Sequence, residues 1–230
     1  MTTDARISVL LVDDHAVVRE GYRRLLERAK GIEVAGEAAS AMEAYQAFRQ
    51  VEPDVVVMDI SLPDVSGIEA MRRLLLRDER ARVLVFSIHD EPLFADRAFK
   101  AGARGYVTKA SAPDVLVDAV RAVARGDTFL SPDIAQGVAV RALRGTDDHA
   151  LRSLSDREFE IVRLLAQGRT VREIAELLCL NYKTIANYQW NIRQKLGADT
   201  AVQLVRIAAE SGLTGRSADE EFRQPERSRR

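Results

Sequence analysis

The sequence predicts a doubly wound parallel α/β sheet followed, after a linker, by a small all-α domain. In the first half of the chain, short β-branched runs alternate with segments of helical periodicity. Runs such as VVVM at 55–58 lack apolar–polar alternation, so we expect them to be buried on both faces of a sheet. The second half contains helical patterns separated by short turn signals.

The first domain, 6–125, contains five strand–helix units. A capping box formed by Ser40 and Glu43 begins a helix that runs to about Val51. Parallel sheets of this kind bind ligands at the carboxyl ends of their strands, so residues that follow a strand are the first candidates for a site. The predicted strands are 7–12, 32–38, 55–58, 83–86 and 106–108. The other predicted helices are 16–29, 67–77, 91–101 and 112–125.

Composition limits the classes of function. With 230 residues, 47% hydrophobic and 30% charged, the chain has material for two modest cores. A net charge of −1 argues against a general polyanion binder, so any contact with nucleic acid must come from a local patch. The single cysteine, Cys179, excludes an internal disulfide framework and suits a reduced interior. Early aspartates and the lack of a long apolar run predict a cytoplasmic protein without membrane contact.

Three carboxylates follow two of the predicted strands. Asp13 and Asp14 come directly after the first strand and Asp59 directly after the third, so we expect them to converge at one edge of the sheet. Clustered carboxylates repel one another unless a cation joins them, and hard oxygen ligands with room for water suit Mg²⁺. Ser87 and Lys109 follow two further strands and could hold oxygens of a phosphoryl group on a carboxylate. The residues therefore predict an aspartyl-phosphate site.

A linker, 126–149, contains one short predicted helix near 134–143, and a second domain, 150–213, follows it. Four helices are predicted in this domain. The first begins at a capping box of Ser155 and Glu158 and ends at about Ala166, and the second begins at a capping box of Thr170 and Glu173 and ends at about Leu178. The third runs from its cap, Asn181, to Leu196, and the fourth covers 200–211. Three helices with tight turns indicate a helix-turn-helix, and the apolar surplus on the fourth makes it a candidate contact with a partner subunit. The tail, 214–230, has almost no apolar residues and is predicted to be disordered.

The third helix of the second domain has two different faces. Its apolar stripe contains Ile185, Tyr188 or Gln189, Ile192 and Leu196, and its polar face carries Lys183, Asn187, Trp190, Asn191 and Gln194. Amides such as Asn187 and Asn191 can read adenine edges in the major groove, while Lys195 and the Thr184 hydroxyl can contact phosphates. A polar helix face can equally be only solvated. Trp190 can contact a thymine methyl or a sugar, or it can pack on the domain surface.

The first domain resembles a known family over about 7–123. The DD pair at 13–14, MDISLPDVSG around Asp59, Ser87, and GARGYVTK ending at Lys109 are similar to the receiver domain of two-component response regulators. The resemblance implies a flavodoxin-like (βα)5 fold in which Asp59 accepts a phosphoryl group from a sensor histidine kinase. It also implies that Asp14, Asp59 and the Ser61 carbonyl bind Mg²⁺ directly, while Asp13 acts through water.

The same resemblance assigns roles to residues around the phosphoryl group. Lys109 would pair with it, Ser87 would move toward it, and Tyr106 would rotate inward and change the face formed by the fourth helix, fifth strand and fifth helix. Tyr106 can equally be a half-buried strand aromatic with no switching role. His89 lies where family side chains modulate the lifetime of the phosphoryl group. Neither His15 nor His89 has a set of metal-ligand partners, so both are interpreted as non-ligands.

The second domain resembles the LuxR-type domain of NarL/FixJ response regulators over about 151–213. The similarity is carried by LSDREFEIVRLLAQGRTVREIAELLCLNYKTIANYQWNIRQKLG. It implies binding of specific promoter DNA, a homodimer when phosphorylated or on DNA, and RNA polymerase as a further candidate partner. Ala186 and Tyr188 stand where many members have lysine and histidine, so we expect base recognition to differ.

Two other functions use some of the same features. A small phosphohydrolase would turn over a substrate with the same acids, but such enzymes place a second acid two residues after the nucleophile, where this chain has Ser61. We therefore expect a regulator and not an enzyme. The other alternative is a phospho-dependent adaptor that recruits a protein or RNA. Only a DNA reader predicts a salt-sensitive, sequence-selective complex with DNA.

Overall fold

The computed structural model describes residues 6–63, 65–144, 151, 153–211 and 213. The chain forms two compact units, Met1–Gly145 and Thr146–Arg230. The end of the predicted linker, 145–149, and the tail predicted to be disordered, 214–230, lie outside the described residues. No helix in the described ranges combines the length and the apolar character needed to cross a bilayer.

The first unit alternates strands and helices, as its β-branched runs and helical periodicity predict. Each strand and helix predicted within 6–125 is present, and their ends differ from the prediction by at most one residue. The short helix predicted near 134–143 is also present and begins two residues earlier. The strands are β1 (Ile7–Val12), β2 (Ile32–Ala38), β3 (Val55–Met58), β4 (Val83–Ser87), β5 (Gly105–Thr108) and β6 (Phe129–Leu130). The helices are α1 (Ala16–Arg28), α2 (Ala41–Val51), α3 (Gly67–Arg77), α4 (Pro92–Lys100), α5 (Pro113–Ala124) and α6 (Pro132–Arg144).

The sheet is parallel throughout, with the strand order β2-β1-β3-β4-β5-β6. Every residue of β3 and β4 is buried, which confirms the prediction that these strands are covered on both faces. On one face, strand side chains pack with Leu116, Val120 and Val123 of α5. The strand order reverses beside β1, so β1 and β3 are neighbours and their carboxyl ends lie side by side.

The sixth strand has no counterpart among the predicted elements. Phe129 and Leu130 pair in parallel with Gly105 and Tyr106 of β5, and α6 contacts both α4 and β5. A two-residue strand is too short to show any periodicity, so the sequence gives no signal for it. The segment interpreted as a linker therefore continues the first unit through β6 and α6.

The second unit contains four main helices within its described residues. They are α7 (Asp156–Ala166), α8 (Val171–Leu177), α9 (Tyr182–Leu196) and α10 (Ala201–Glu210). Capping boxes begin α7 and α8 at the predicted residues, because each cap hydroxyl and the glutamate three residues later satisfy each other's backbone N–H groups. The helices enclose a small core of buried side chains that includes Phe159, Ile174, Ile185, Ile192 and Leu204.

Both ends of α9 follow from local chemistry. The Asn181 side chain accepts a hydrogen bond from the Thr184 N–H and caps the first turn. Gly197 ends the helix with a φ of 62°, a left-handed conformation that glycine adopts without steric cost. The boundaries of this helix therefore agree with the sequence prediction.

Candidate functional site

Two buried aspartates contact one lysine at the carboxyl edge of the sheet. Asp13 follows β1, Asp59 follows β3, and each side chain is only 3% exposed. Lys109, which follows β5, donates from Nζ to Asp13 Oδ2 and to Asp59 Oδ2, each over 2.6 Å. The strand ends thus bring these three residues together, as expected from a parallel sheet.

The charges in this cluster depend on one another. Burial raises the pKa of Asp59 and Asp13 raises it further, although Lys109 acts in the opposite direction. Burial lowers the pKa of Lys109, but Asp59 and Asp13 outweigh it and hold that pKa above its ordinary value. Lys109 is therefore an ammonium at neutral pH, and it compensates carboxylates that would be costly to bury alone.

Asp14 lies on the more open side of the cluster. Its side chain is 29% exposed, and its Oδ1 lies 2.7 Å from Nδ1 of His15. Asp13, Asp14 and His15 can each supply one ligand atom, with all three atoms within 4.8 Å of one another. Carboxylate oxygens beside a partly open site are donors that Mg²⁺ prefers, so the residues present fit this ion. Asp59 does not belong to this group of three possible ligands. His15 does belong to it, although it is interpreted from the sequence as a non-ligand.

Ser61 and His89 form one wall of the site. The Ser61 N–H donates to Asp59 Oδ1 over 3.3 Å, and the Ser61 hydroxyl lies 3.2 Å from His89 Nε2. The buried ring of His89 stacks on Phe94 with 4.2 Å between ring centroids. His89 therefore packs against the site and presents Nε2 to a hydroxyl.

The backbone of His89 also connects Ser87 and Tyr106. Ser87 Oγ accepts a hydrogen bond from the His89 N–H over 3.3 Å, and the Tyr106 hydroxyl donates to the His89 carbonyl over 2.8 Å. Both Ser87 and Tyr106 have no exposed surface. Tyr106 is thus fully buried, unlike the half-buried aromatic of the alternative interpretation.

Gly67, the first residue of α3, belongs to the site although the sequence did not single it out. Its N–H donates to the Ile60 carbonyl over 2.7 Å. A Cβ built on Gly67 would lie 1.8 Å from the backbone oxygen of Asp59, so no side chain fits there. The available signals were its place at the end of MDISLPDVSG and at the start of the predicted helix 67–77, since glycine is common where the backbone approaches another part of the chain closely.

Arg19 of α1 holds the turn that carries Asp13. Its Nη1 donates to the Asp13 carbonyl over 2.6 Å, and its Nε donates to Glu37 Oε2 over 2.9 Å. Glu37 lies on β2, so the contact joins parts of the chain that no local pattern relates. Sequence reasoning therefore could not identify Arg19 as a positioning residue.

Hydrogen bonds also join the end of β5 to α6. The hydroxyl of Thr108, which precedes Lys109, donates to Asp133 Oδ2 over 2.6 Å, and the Ser111 hydroxyl donates to Asp133 Oδ1 over 3.3 Å. Burial raises the pKa of Asp133, but hydrogen bonds, the one from Thr108 foremost, outweigh it and hold the pKa below its ordinary value. The strand that carries Lys109 is thus tied to the last helix of the first unit.

The faces of α9 are those that helical periodicity predicts. Ile185 and Ile192 are fully buried, so the apolar stripe anchors the helix in its unit. The exposed residues on the other side are Lys183, Asn187, Trp190, Asn191 and Gln194. This face presents amides, an ammonium and an indole to solvent, which is a surface chemistry suited to base edges and phosphates.

Two of the predicted DNA contacts have partners inside the unit. Thr184 donates from its N–H and its hydroxyl to Asn181 Oδ1, over 2.8 and 2.9 Å. Lys195 donates from Nζ to Glu158 Oε2 over 2.7 Å. These interactions stabilise the start of α9 and its packing on α7, so neither side chain is as available as Lys183 or Asn187.

Glu158→Gln is expected to destabilise the second unit by about 1–3 kcal/mol at pH 7, because a buried charged acceptor is lost. Glu158 Oε2 accepts from the Ser155 N–H and Lys195 Nζ, each over 2.7 Å. Burial raises the pKa of Glu158, but these hydrogen bonds hold it below its ordinary value. The contribution of the Glu158 carboxylate to the free energy of unfolding is therefore present above its unfolded-state pKa and is lost as the pH falls through its folded-state pKa.

Urea unfolding followed by Trp190 fluorescence measures this effect, since Trp190 is the only tryptophan and lies in the second unit. The stability difference between Glu158→Gln and the unchanged chain should shrink as the pH is lowered. Glu176→Gln, at an exposed position of α8, is the matched control and should change little. A difference that stays constant from pH 7 to the acidic range would contradict the assignment.

Comparison with known protein families agrees with this geometry. The family described as "Response regulator receiver domain" matches residues 9–121, and "Bacterial regulatory proteins, luxR family" matches residues 152–208. The response regulator GacA of Pseudomonas aeruginosa is 36% identical over 90% of this chain and 97% of its own length. The response regulator UvrY of Escherichia coli K12 is 38% identical over 90% of this chain and 95% of its own length.

Solved structures give the same result. A LuxR-family two-component response regulator from Aurantimonas sp. SI85-9A1 is 51% identical, with a TM-score of 0.59, over 60% of this chain and 99% of that one. The RcsB response regulator of Salmonella typhimurium is 26% identical, with a TM-score of 0.58, over 89% of this chain and 98% of that one. The chain therefore belongs to the two-component response regulators with a receiver domain and a LuxR-type helix-turn-helix domain, a family of DNA-binding transcriptional regulators and not of enzymes.

Proposed function

We propose that Asp59 accepts a phosphoryl group from a sensor histidine kinase and that this reaction controls the binding of α9 to promoter DNA. The first domain, 6–125, would receive the phosphoryl group, and the second domain, 150–213, would bind DNA. The observation that supports it best is the ammonium of Lys109 held between the carboxylates of Asp13 and Asp59 at the carboxyl edge of the sheet.

The transfer is a nucleophilic displacement at phosphorus. A carboxylate oxygen of Asp59 forms the new bond to phosphorus while the bond to the kinase histidine nitrogen breaks and the imidazole leaves. Lys109 Nζ, which already contacts Asp59, would pair with phosphoryl oxygens. Asp13, Asp14, Asp59 and the Ser61 carbonyl would hold Mg²⁺, with Asp13 acting through water. The ion supplies positive charge that offsets the charge of the phosphoryl group.

The switch would begin at Ser87. When its hydroxyl turns to the phosphoryl group, Ser87 loses the hydrogen bond that it now accepts from the His89 N–H. The Tyr106 hydroxyl donates a hydrogen bond to the His89 carbonyl, so a shift of the His89 backbone would change the contacts of both Ser87 and Tyr106. The burial of Tyr106 is consistent with the inward position that the family resemblance associates with signalling. Such a change is a shift in population between two arrangements of one fold.

On DNA, Lys183, Asn187, Trp190 and Asn191 would form the main contacts, and Thr184 and Lys195 would contact phosphates where their intramolecular partners allow. We expect a homodimer, because helix-turn-helix proteins read paired half-sites. The exposed Val202 of α10, at 79%, makes that helix a candidate for the contact between subunits. RNA polymerase is the further partner that promoter binding implies, and the cytoplasm is the compartment that all these partners share.

Phosphorylation of the full chain by a small acyl phosphate tests the first part of this proposal. With Mg²⁺, one phosphoryl group should be incorporated, and peptide mapping should place it on the segment that contains Asp59. A chelator should abolish incorporation. Labelling at Asp13 or Asp14, or labelling that is unaffected by the chelator, would overturn the assignment. Labelling of Asp59 together with no salt-sensitive DNA complex would favour the phospho-dependent adaptor.

A further inference from the structure

Trp190 is an exposed aromatic residue on a polar helix face. It is the only tryptophan in the chain, and 56% of its surface is exposed. Among the described residues, no hydrogen bond or ring contact engages its indole. An indole that packs on its own domain would gain free energy by burying more of its apolar surface. The exposed indole is therefore available to an external partner.

The neighbours of Trp190 define the chemistry of that partner. Asn187 lies one turn before it, Asn191 directly follows it, and Gln194 lies one turn after it, and all three are exposed. Lys183, two turns before Trp190, adds a positive charge to the same face. Amides hydrogen-bond to the paired donors and acceptors of base edges, and an ammonium pairs with phosphate. A protein-binding face of this size would contain several further large apolar side chains, whereas Tyr182, at the start of α9, is the only other one that is strongly exposed on the described helix.

We propose that Trp190 reads thymine by contact with its C5 methyl group in the major groove. The methyl of thymine is the apolar group that base pairs present in that groove, so an indole among amides would select a T·A pair at its position. The neighbouring amides would favour adenine, which places the thymine contact within an A·T-rich step. This inference rests on the proposed DNA binding by α9 and adds a determinant of sequence preference to it.

The test uses a duplex recovered by the full-length, phosphorylated protein. Each thymine is replaced in turn by uracil, which removes only the methyl group. At one position in each half-site, the replacement should weaken binding about fourfold, the value expected for one buried methyl. Trp190→Ala should bind the original duplex about tenfold less tightly and should lose the difference between thymine and uracil at that position. Fluorescence of the single tryptophan should change on the specific duplex.

Two control variants separate this inference from the function on which it rests. Trp190→Phe retains an aromatic ring and should keep part of the thymine preference. Leu177→Ala removes another exposed apolar side chain, 58% exposed and outside α9, and should leave the preference unchanged. If Trp190→Ala binds DNA with the same thymine preference as the unchanged chain, the inference is wrong and the DNA-binding function stands. If no variant or parent forms a sequence-selective complex, the function itself fails.

Discussion

Asp59→Asn is expected to abolish incorporation of the phosphoryl group and, with it, any effect of a phosphodonor on DNA binding. The amide keeps the size of the side chain but is not a nucleophile toward phosphorus. The substitution should also raise the thermal unfolding temperature of the first unit at pH 7. Burial raises the pKa of Asp59, so its ionised form costs free energy in the folded state that the amide does not.

The pH dependence gives this prediction a second readout. For a carboxyl group with a raised pKa, the cost to stability appears as the pH rises above the unfolded-state value of about 4. The difference in unfolding temperature should therefore disappear in acid. Asp118→Asn, at a carboxylate 68% exposed on α5, is the matched control and should be phosphorylated normally. Full incorporation into Asp59→Asn would show that another residue is the acceptor.

Gly67→Ala should destabilise the first unit by roughly 1–3 kcal/mol or more and strongly slow phosphorylation. The added Cβ would stand 1.8 Å from the Asp59 carbonyl oxygen, 2.8 Å from its carbon and 2.9 Å from the Ile60 Cα. These are backbone atoms, so relief requires the β3–α3 connection to move, and that connection carries the acceptor. A displacement of even about 1 Å is enough to lower a rate about a hundredfold.

Gly21→Ala is the matched control for this change. Gly21 lies within α1, is exposed, and would have nothing within 4 Å of an added Cβ. Alanine there should stabilise the helix by about 0.5–1 kcal/mol and leave phosphorylation unchanged. Calorimetry of the full chain measures both variants, with the transition of the second unit identified by Trp190 fluorescence. Equal behaviour of Gly67→Ala and Gly21→Ala would refute the role given to the close approach.

The local order of the fold could be predicted because it depends on patterns within a few residues. Uniformly apolar strands such as 55–58 indicate burial on both faces, and the capping boxes at Ser155 and Thr170 mark helix starts. β6 could not be predicted, since two residues carry no period. Its place in the sheet depends on pairing with β5, a contact between distant segments.

The candidate site likewise contains residues that could be predicted from the sequence and residues that could not. Asp13, Asp59 and Lys109 follow strands, so the topology of a parallel sheet brings them together, and the distances agree. Arg19 contacts the backbone carbonyl of Asp13, and Gly67 lies against that of Asp59. The spacing of residues along the sequence does not predict such contacts with backbone atoms. On α9, periodicity predicts which residues are exposed.

The most direct test of the account is recovery of fragmented genomic DNA by the purified full chain. The selection is made with and without an acyl phosphate and Mg²⁺, in parallel with Asp59→Asn. We predict a few discrete fragments that the unchanged chain recovers only, or far more strongly, with the phosphodonor and that Asp59→Asn does not recover above background. Equal recovery by both proteins, with or without the donor, would contradict control of DNA binding by phosphorylation of Asp59.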